Sequence, residues 1–245
     1  MKKIVLLLAA ICISAFAAKN IEVYTYHNFA PFITGKNTGL SYDLVKQLND
    51  NSKEDMTFTL KIMPRSEINV ELKPWISKEC RKGATCNKDW MLLWVNHKWG
   101  FGRNALKTFS WTPLFKDSNS IVSSKETKFE YNKPQSVFGK KLLGVKGHKY
   151  KNFDRLVKNK KLTRIDGTSE RDNLIKVQNN EGDFTIIGTS SLKYLQKENA
   201  SLQDLHISKN LHHEYRRYIM TTPDNKELVD FIKAQNVEAF VNAQL

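Results

Sequence analysis

Beyond its first seventeen residues the sequence has no long apolar run. No later stretch approaches the roughly 20 residues that a membrane-spanning helix needs. Acid is scarce, with 25 Asp and Glu against 39 Lys and Arg, and cysteine is scarcer still, with three in 245 residues. No segment repeats at a fixed period and none is of low complexity. Each shortage excludes something. The lysines are spread along the chain, without the clustered basic stripe interleaved with aromatics that a nucleic-acid binder uses. No His or second Cys pair stands at zinc-ligand spacing. None of the six histidines pairs with a Ser or Cys nucleophile in a known motif. No metal, cofactor or catalytic residue is therefore assigned.

What is present begins with a leader. Lys2 and Lys3 precede an apolar run from Ile4 to Ile13, and Ala15-Phe16-Ala17 is a small-x-small cleavage site. Residues 1–17 are predicted to be a signal peptide, which places the mature chain in the periplasm. Ile11 stands before Cys12 where lipoprotein processing wants a small residue, so cleavage after Ala17 is expected instead. Losing Lys2 and Lys3 lowers the formal net charge from +14 to +12. A surplus of that size attracts anions. Cys80 and Cys86 are the two cysteines left. In an oxidising compartment an even count predicts a disulfide. Closing so short a loop is worth about 2 kcal/mol in the chain-entropy model.

Alternation and β-formers predict strands at Ile21–Tyr26, Thr57–Met63 and Asn119–Ser124. Trp90–Val95 is apolar throughout, as expected of a central strand buried on both faces. Helices are predicted at about Tyr42–Asn49, with Ser41 as a possible cap, and at Arg65–Leu72, stopped by Pro74. Lys125 to Pro134 reads as a crossover. A second α/β rhythm then runs from Leu142 to about Glu198. Tyr215–Met220 is a returning strand, and one amphipathic helix over Lys226–Asn242 closes the chain. Alternating strands and helices imply parallel sheets, whose ligands bind beyond the carboxyl ends of the strands. Phe29 falls just past such an end. So does Arg103, an arginine in a loop rich in glycine and aromatics and suited to grip a carboxylate with two hydrogen bonds.

Several pieces then occur in order: Phe29-Ala30-Pro31-Phe32, Gly39-Leu40-Ser41-Tyr42-Asp43-Leu44, and Arg103 with Phe109-Ser110 six residues on. Gly139-Lys140-Lys141, Gly144-Val145-Lys146-Gly147 and Gly182-Asp183-Phe184 follow. Together they resemble the extracytoplasmic solute-binding proteins of family 3, the polar-amino-acid type that serves ABC transporters. The resemblance covers nearly the whole mature chain. It implies an α/β periplasmic binding protein type II fold, with two lobes, each a mostly parallel sheet flanked by helices, joined by two crossover strands. Lobe 1 would comprise 18–126 and 214–245, and lobe 2 127–213.

The resemblance also implies site roles. Phe29, with Phe32 beside it, matches the aromatic that stacks on the ligand, and Arg103 the arginine that holds its carboxylate. His148 and Lys149, in the loop that ends at Tyr150, match second-lobe positions that donate to the same group. Gly188-Thr189 matches a loop that closes over the ligand. Trp94, Trp99 and Trp111 are further candidates for aromatic wall, with core packing the stronger reading for Trp94 and Trp111. Two positions depart from the pattern. Gly188 stands where such proteins carry an aspartate for the ligand's ammonium, and Lys98 stands where they carry a Ser or Thr. A buried ammonium without an acid partner is costly. The expected ligand is therefore a small carboxylate-bearing molecule, amino-acid-like or an organic acid, with an apolar or ring portion against Phe29. The expected partner is an ABC permease in the inner membrane, and the protein itself a monomer. Two alternatives share the fold: a periplasmic enzyme acting on a cyclic carboxylic acid, and a ligand-presenting partner of a membrane sensor.

Overall fold

The computed structural model describes residues 18–52 and 55–245, so the leader lies outside the described residues. The strands are β1 (Lys19–Thr25), β2 (Met56–Ile62), β3 (Trp90–Val95), β4 (Ser110–Ser123), β5 (Lys141–Val145), β6 (Thr163–Gly167), β7 (Phe184–Gly188), β8 (His206–Ile207) and β9 (His213–Thr221). The helices are α1 (Leu40–Asn51), α2 (Arg65–Ile76), α3 (Ala105–Thr108), α4 (Phe153–Lys158), α5 (Glu170–Gln178), α6 (Thr189–Glu198), α7 (Lys226–Ala234) and α8 (Val237–Gln244). The sheet order is β2-β1-β3-β9-β4-β7-β5-β6, with β8 on β4.

Parallel pairing is confined to two groups, β2-β1-β3 and β6-β5-β7. The long antiparallel pair β4-β9 lies between them. Two lobes thus share two connecting strands, the architecture of the two-lobe periplasmic binding proteins. Ile21, Val23, Leu44, Leu48, Leu93 and Leu228 are at the centre of one core. Val122, Leu143, Leu174 and Ile187 are at the centre of another, in the second lobe. β3 is buried at every position, as its unbroken apolar run requires.

Four expectations are corrected. α2 continues through Pro74 to Ile76, because Trp75 packs into the core beside Leu72. The carbonyl of Val70 that Pro74 leaves without a partner lies at an exposed position, Val70 being 69% exposed, where water can serve it. The crossover is β4 itself rather than Lys125–Pro134. It starts at Ser110 and admits Pro113 at a register shift between Pro113 and Phe115. The terminal helix is two helices, broken where Asn236 turns left-handed at φ 48°. Gly39, not Ser41, caps α1, at φ 112° and with no room for a Cβ beside the Phe32 carbonyl. Ser41 instead accepts a 2.8 Å hydrogen bond from the indole of the buried Trp94.

Candidate interlobe site

The cleft between the lobes is closed. Phe29 meets the ring of His148 with centroids 6.4 Å apart. The hydroxyls of Ser118 and Ser120 on β4 bond Thr189 of α6 at 2.6 and 2.7 Å. Alternation along the connecting strands puts Phe115 and Asp117 of β4 on one face with Tyr215 and Arg217 of β9, since Phe115 pairs with Arg217 and Asp117 with Tyr215.

Arg217 is the centre of that face. Its side chain is 3% exposed, and its Nε donates to Asp117 Oδ2 at 2.7 Å. Nη1 donates to the Trp94 carbonyl at 3.0 Å and Nη2 to the Tyr215 hydroxyl at 3.2 Å. The guanidinium lies against the rings of Phe32, Tyr215, Trp99 and Phe115 at 4.6–6.0 Å, a favourable cation–π enclosure. The Trp94 carbonyl is aimed there by an irregularity in β3, where Trp94 adopts φ 65°. A bulky residue holds that conformation only when its surroundings enforce it.

Asp117 is fully occupied. Oδ1 accepts from the backbone N–H of Ser118 and Ser190, and Oδ2 from Arg217 Nε and the Ser190 hydroxyl. These four donors fill its four strong acceptor directions. Arg217 has five N–H groups, and three are engaged by the described residues. One N–H on each terminal nitrogen is left.

Other polar groups in the cleft lack partners. His27 is 6% exposed, and neither ring nitrogen has a hydrogen-bond partner. Burial first, then Arg217, His148 and Arg65, hold it well below the usual histidine range, so its ring is neutral. Ser191 Oγ and Glu170 Oε2 are likewise buried without a well-formed hydrogen bond. Burial pushes the Glu170 carboxyl up to about 7. Asp117 adds to that rise, while Arg217, the Gly188 N–H and the Ser191 hydroxyl oppose it. Among the described residues no group of three His, Cys, Asp or Glu gathers to hold a metal ion.

The predicted site residues divide. Phe29, Phe32, His148, Gly188 and Thr189 lie in or beside the cleft, with Phe32 fully buried under Arg217. Tyr150 is buried, but its hydroxyl accepts from the Val145 N–H and so braces its own loop. Lys98, Arg103 and Lys149 are exposed, and none of the described residues pairs with the Arg103 side chain. Trp99 stands in the wall, 5.1 Å from Tyr215. Trp94 and Trp111 pack in the core clusters. Cys80 and Cys86 form the expected disulfide.

Sequence reasoning missed Asp117, Glu170 and Arg217. One signal was available: Asp117 and Arg217 are charged residues inside strand-forming stretches, where charge needs a buried partner. Arg65, also unassigned, ties the cleft edge by donating to the Tyr26 hydroxyl and the Trp99 carbonyl.

No family model matches the chain, and no curated protein does. Solved structures do. The arginine-bound form of truncated ArgBP from T. maritima is similar at 15% identity and TM-score 0.59, covering 88% of this chain and 94% of that one. The GluR0 ligand-binding core in complex with L-glutamate is similar at 13% identity and TM-score 0.60, covering 90% and 91%. An ABC uptake transporter substrate-binding protein from Streptococcus pneumoniae with bound histidine is similar at 15% identity and TM-score 0.57, covering 91% and 87%. This chain has the two-lobe type II fold of periplasmic binding proteins.

Proposed function

We propose that this chain is a periplasmic solute-binding protein of the family 3 type, which captures a small carboxylate-bearing ligand between its lobes for an ABC permease in the inner membrane. The lobes then divide within β4 and β9, so that Ile121 and Val122 belong with 127–213 in lobe 2. The observation that carries the reading is a buried arginine in the cleft with donors to spare. Arg217 keeps two N–H groups free while Asp117 has no acceptor direction left. A carboxylate is the ligand group that such a cleft complements. Phe29 and Trp99 offer rings to its apolar part. On this reading the carboxylate grip belongs to Arg217 on β9 rather than to the exposed Arg103.

A thermal-shift panel of the mature protein against acetate, succinate, benzoate, L-glutamate and L-arginine tests it. A ligand at about 100 times its Kd raises stability by about 2.7 kcal/mol, which a melting curve detects. The reading requires a carboxylic acid among the hits. A panel in which none of these carboxylates stabilises the protein overturns it. Copurification with a permease, as against a membrane sensor, distinguishes transport from signalling.

A further inference from the structure

Ser190 is the second residue of α6, in the second lobe, and it is buried. Its backbone N–H donates to Asp117 Oδ1 at 3.2 Å and its hydroxyl to Asp117 Oδ2 at 3.0 Å. The hydroxyl makes no other hydrogen bond among the described residues. Asp117 also accepts from Arg217 Nε at 2.7 Å, and Arg217 Nη1 donates to the Trp94 carbonyl on β3 at 3.0 Å. An unbroken chain of buried hydrogen bonds thus runs from α6, through both connecting strands, to β3 of the first lobe. One feature of the chain is unusual for an arginine and a carboxylate. Such partners commonly join through two parallel N–H groups, yet Arg217 gives Asp117 only Nε. The other acceptor directions of Asp117 are taken by the Ser118 N–H and by the N–H and hydroxyl of Ser190. The hydroxyl shares Oδ2 with Arg217 Nε.

We infer that Ser190 is a positioning residue of the site: its hydroxyl fills Asp117 and so keeps the terminal N–H groups of Arg217 for a ligand carboxylate. The inference rests on the solute-binding reading above and deepens it. Ser190 acts through Asp117 and needs no contact with the ligand. Without the hydroxyl, Oδ2 regains an acceptor direction. Arg217 Nη2, which donates to the Tyr215 hydroxyl at 3.2 Å, can then turn to Asp117. The internal ion pair gains a hydrogen bond and the ligand loses a donor. Stability and affinity therefore move apart, whereas a residue that only packs α6 against β4 would lower stability when truncated and leave affinity alone.

Isothermal titration of the full mature protein with acetate, succinate, benzoate, L-glutamate and L-arginine decides it. Wild type, Ser190→Ala and Ser190→Thr are compared, and urea unfolding of each is measured alongside. For the carboxylate that binds wild type most tightly, Ser190→Ala should raise Kd about three- to tenfold, the range of one hydrogen bond. Its urea midpoint should stay at the wild-type value or above. Ser190→Thr keeps the hydroxyl and should bind within about twofold of wild type. Wild-type affinity in Ser190→Ala overturns the inference and leaves the solute-binding reading standing. Equal losses of affinity in the Ala and Thr variants do the same, because the hydroxyl is then not the cause. A Ser190→Ala variant that fails to fold, or that loses stability along with affinity, shows a structural role and also overturns the inference alone. Binding of no member of the panel by wild type overturns both.

Discussion

Asp117 and Arg217 form a buried ion pair whose partners answer to each other. Removing one end of such a pair strands a charge away from water and costs about 3–5 kcal/mol. Asp117→Asn should lower unfolding stability by that order in chemical denaturation, and a loss under 1 kcal/mol would show that the pair is dispensable. Glu170 acts on stability with the opposite tendency to an ordinary surface acid. Its folded carboxyl, near 7, sits above the ordinary value of 4.5, so between those values the folded state binds more protons than the unfolded chain. Its contribution is present in full below about pH 4.5 and is lost as pH rises to about 7. His27 runs the other way, because its ring stays neutral in the fold, so its contribution is lost as pH falls below 6.5. Subtracting the pH–stability curve of Glu170→Gln from that of the wild type cancels His27 and every other shared group. The difference should fall between pH 4.5 and 7 and be flat above. Little of this cluster was legible in the sequence. Asp117 and Arg217 are 100 residues apart, and only the pairing of β4 with β9 brings them together.

Single elements were more legible, because their signals are local. The apolar run of β3 is written in adjacent residues and stands in the structure as a strand buried at every position. Signals that pit one local rule against tertiary packing were misread. Pro74 announces a stop, yet burying Trp75 outweighs one lost hydrogen bond. The periodicity of the last helix runs through Asn236, which offers the left-handed conformation at low cost and lets α8 turn back onto α1 and β4. Asn236→Val should therefore destabilise by about 1–3 kcal/mol, while Asn236→Gly should change little. Equal melting temperatures for the two variants would show that the break does not depend on that residue.

At the scale of the whole molecule the α/β alternation and the order of motifs were enough to give the two-lobe architecture. Its closure over one face of β4 and β9 was not, since it depends on contacts such as that of Phe29 with His148, made across the lobes. The matched loop arginine shows the limit. Arg103 keeps its spacing to Phe109-Ser110 but is exposed, while the buried cation of the cleft comes from the returning strand. The central claim is that Arg217, not Arg103, holds the ligand's carboxylate. It is tested most directly by titrating the acid that binds best into wild type, Arg217→Lys and Arg103→Ala. Lysine keeps the charge opposite Asp117 but loses the planar fork. Arg217→Lys should weaken binding at least tenfold, about 1.4 kcal/mol, and Arg103→Ala should stay within about threefold of wild type, about 0.7 kcal/mol. The reverse order, with Arg103→Ala abolishing binding and Arg217→Lys matching wild type, would contradict the account.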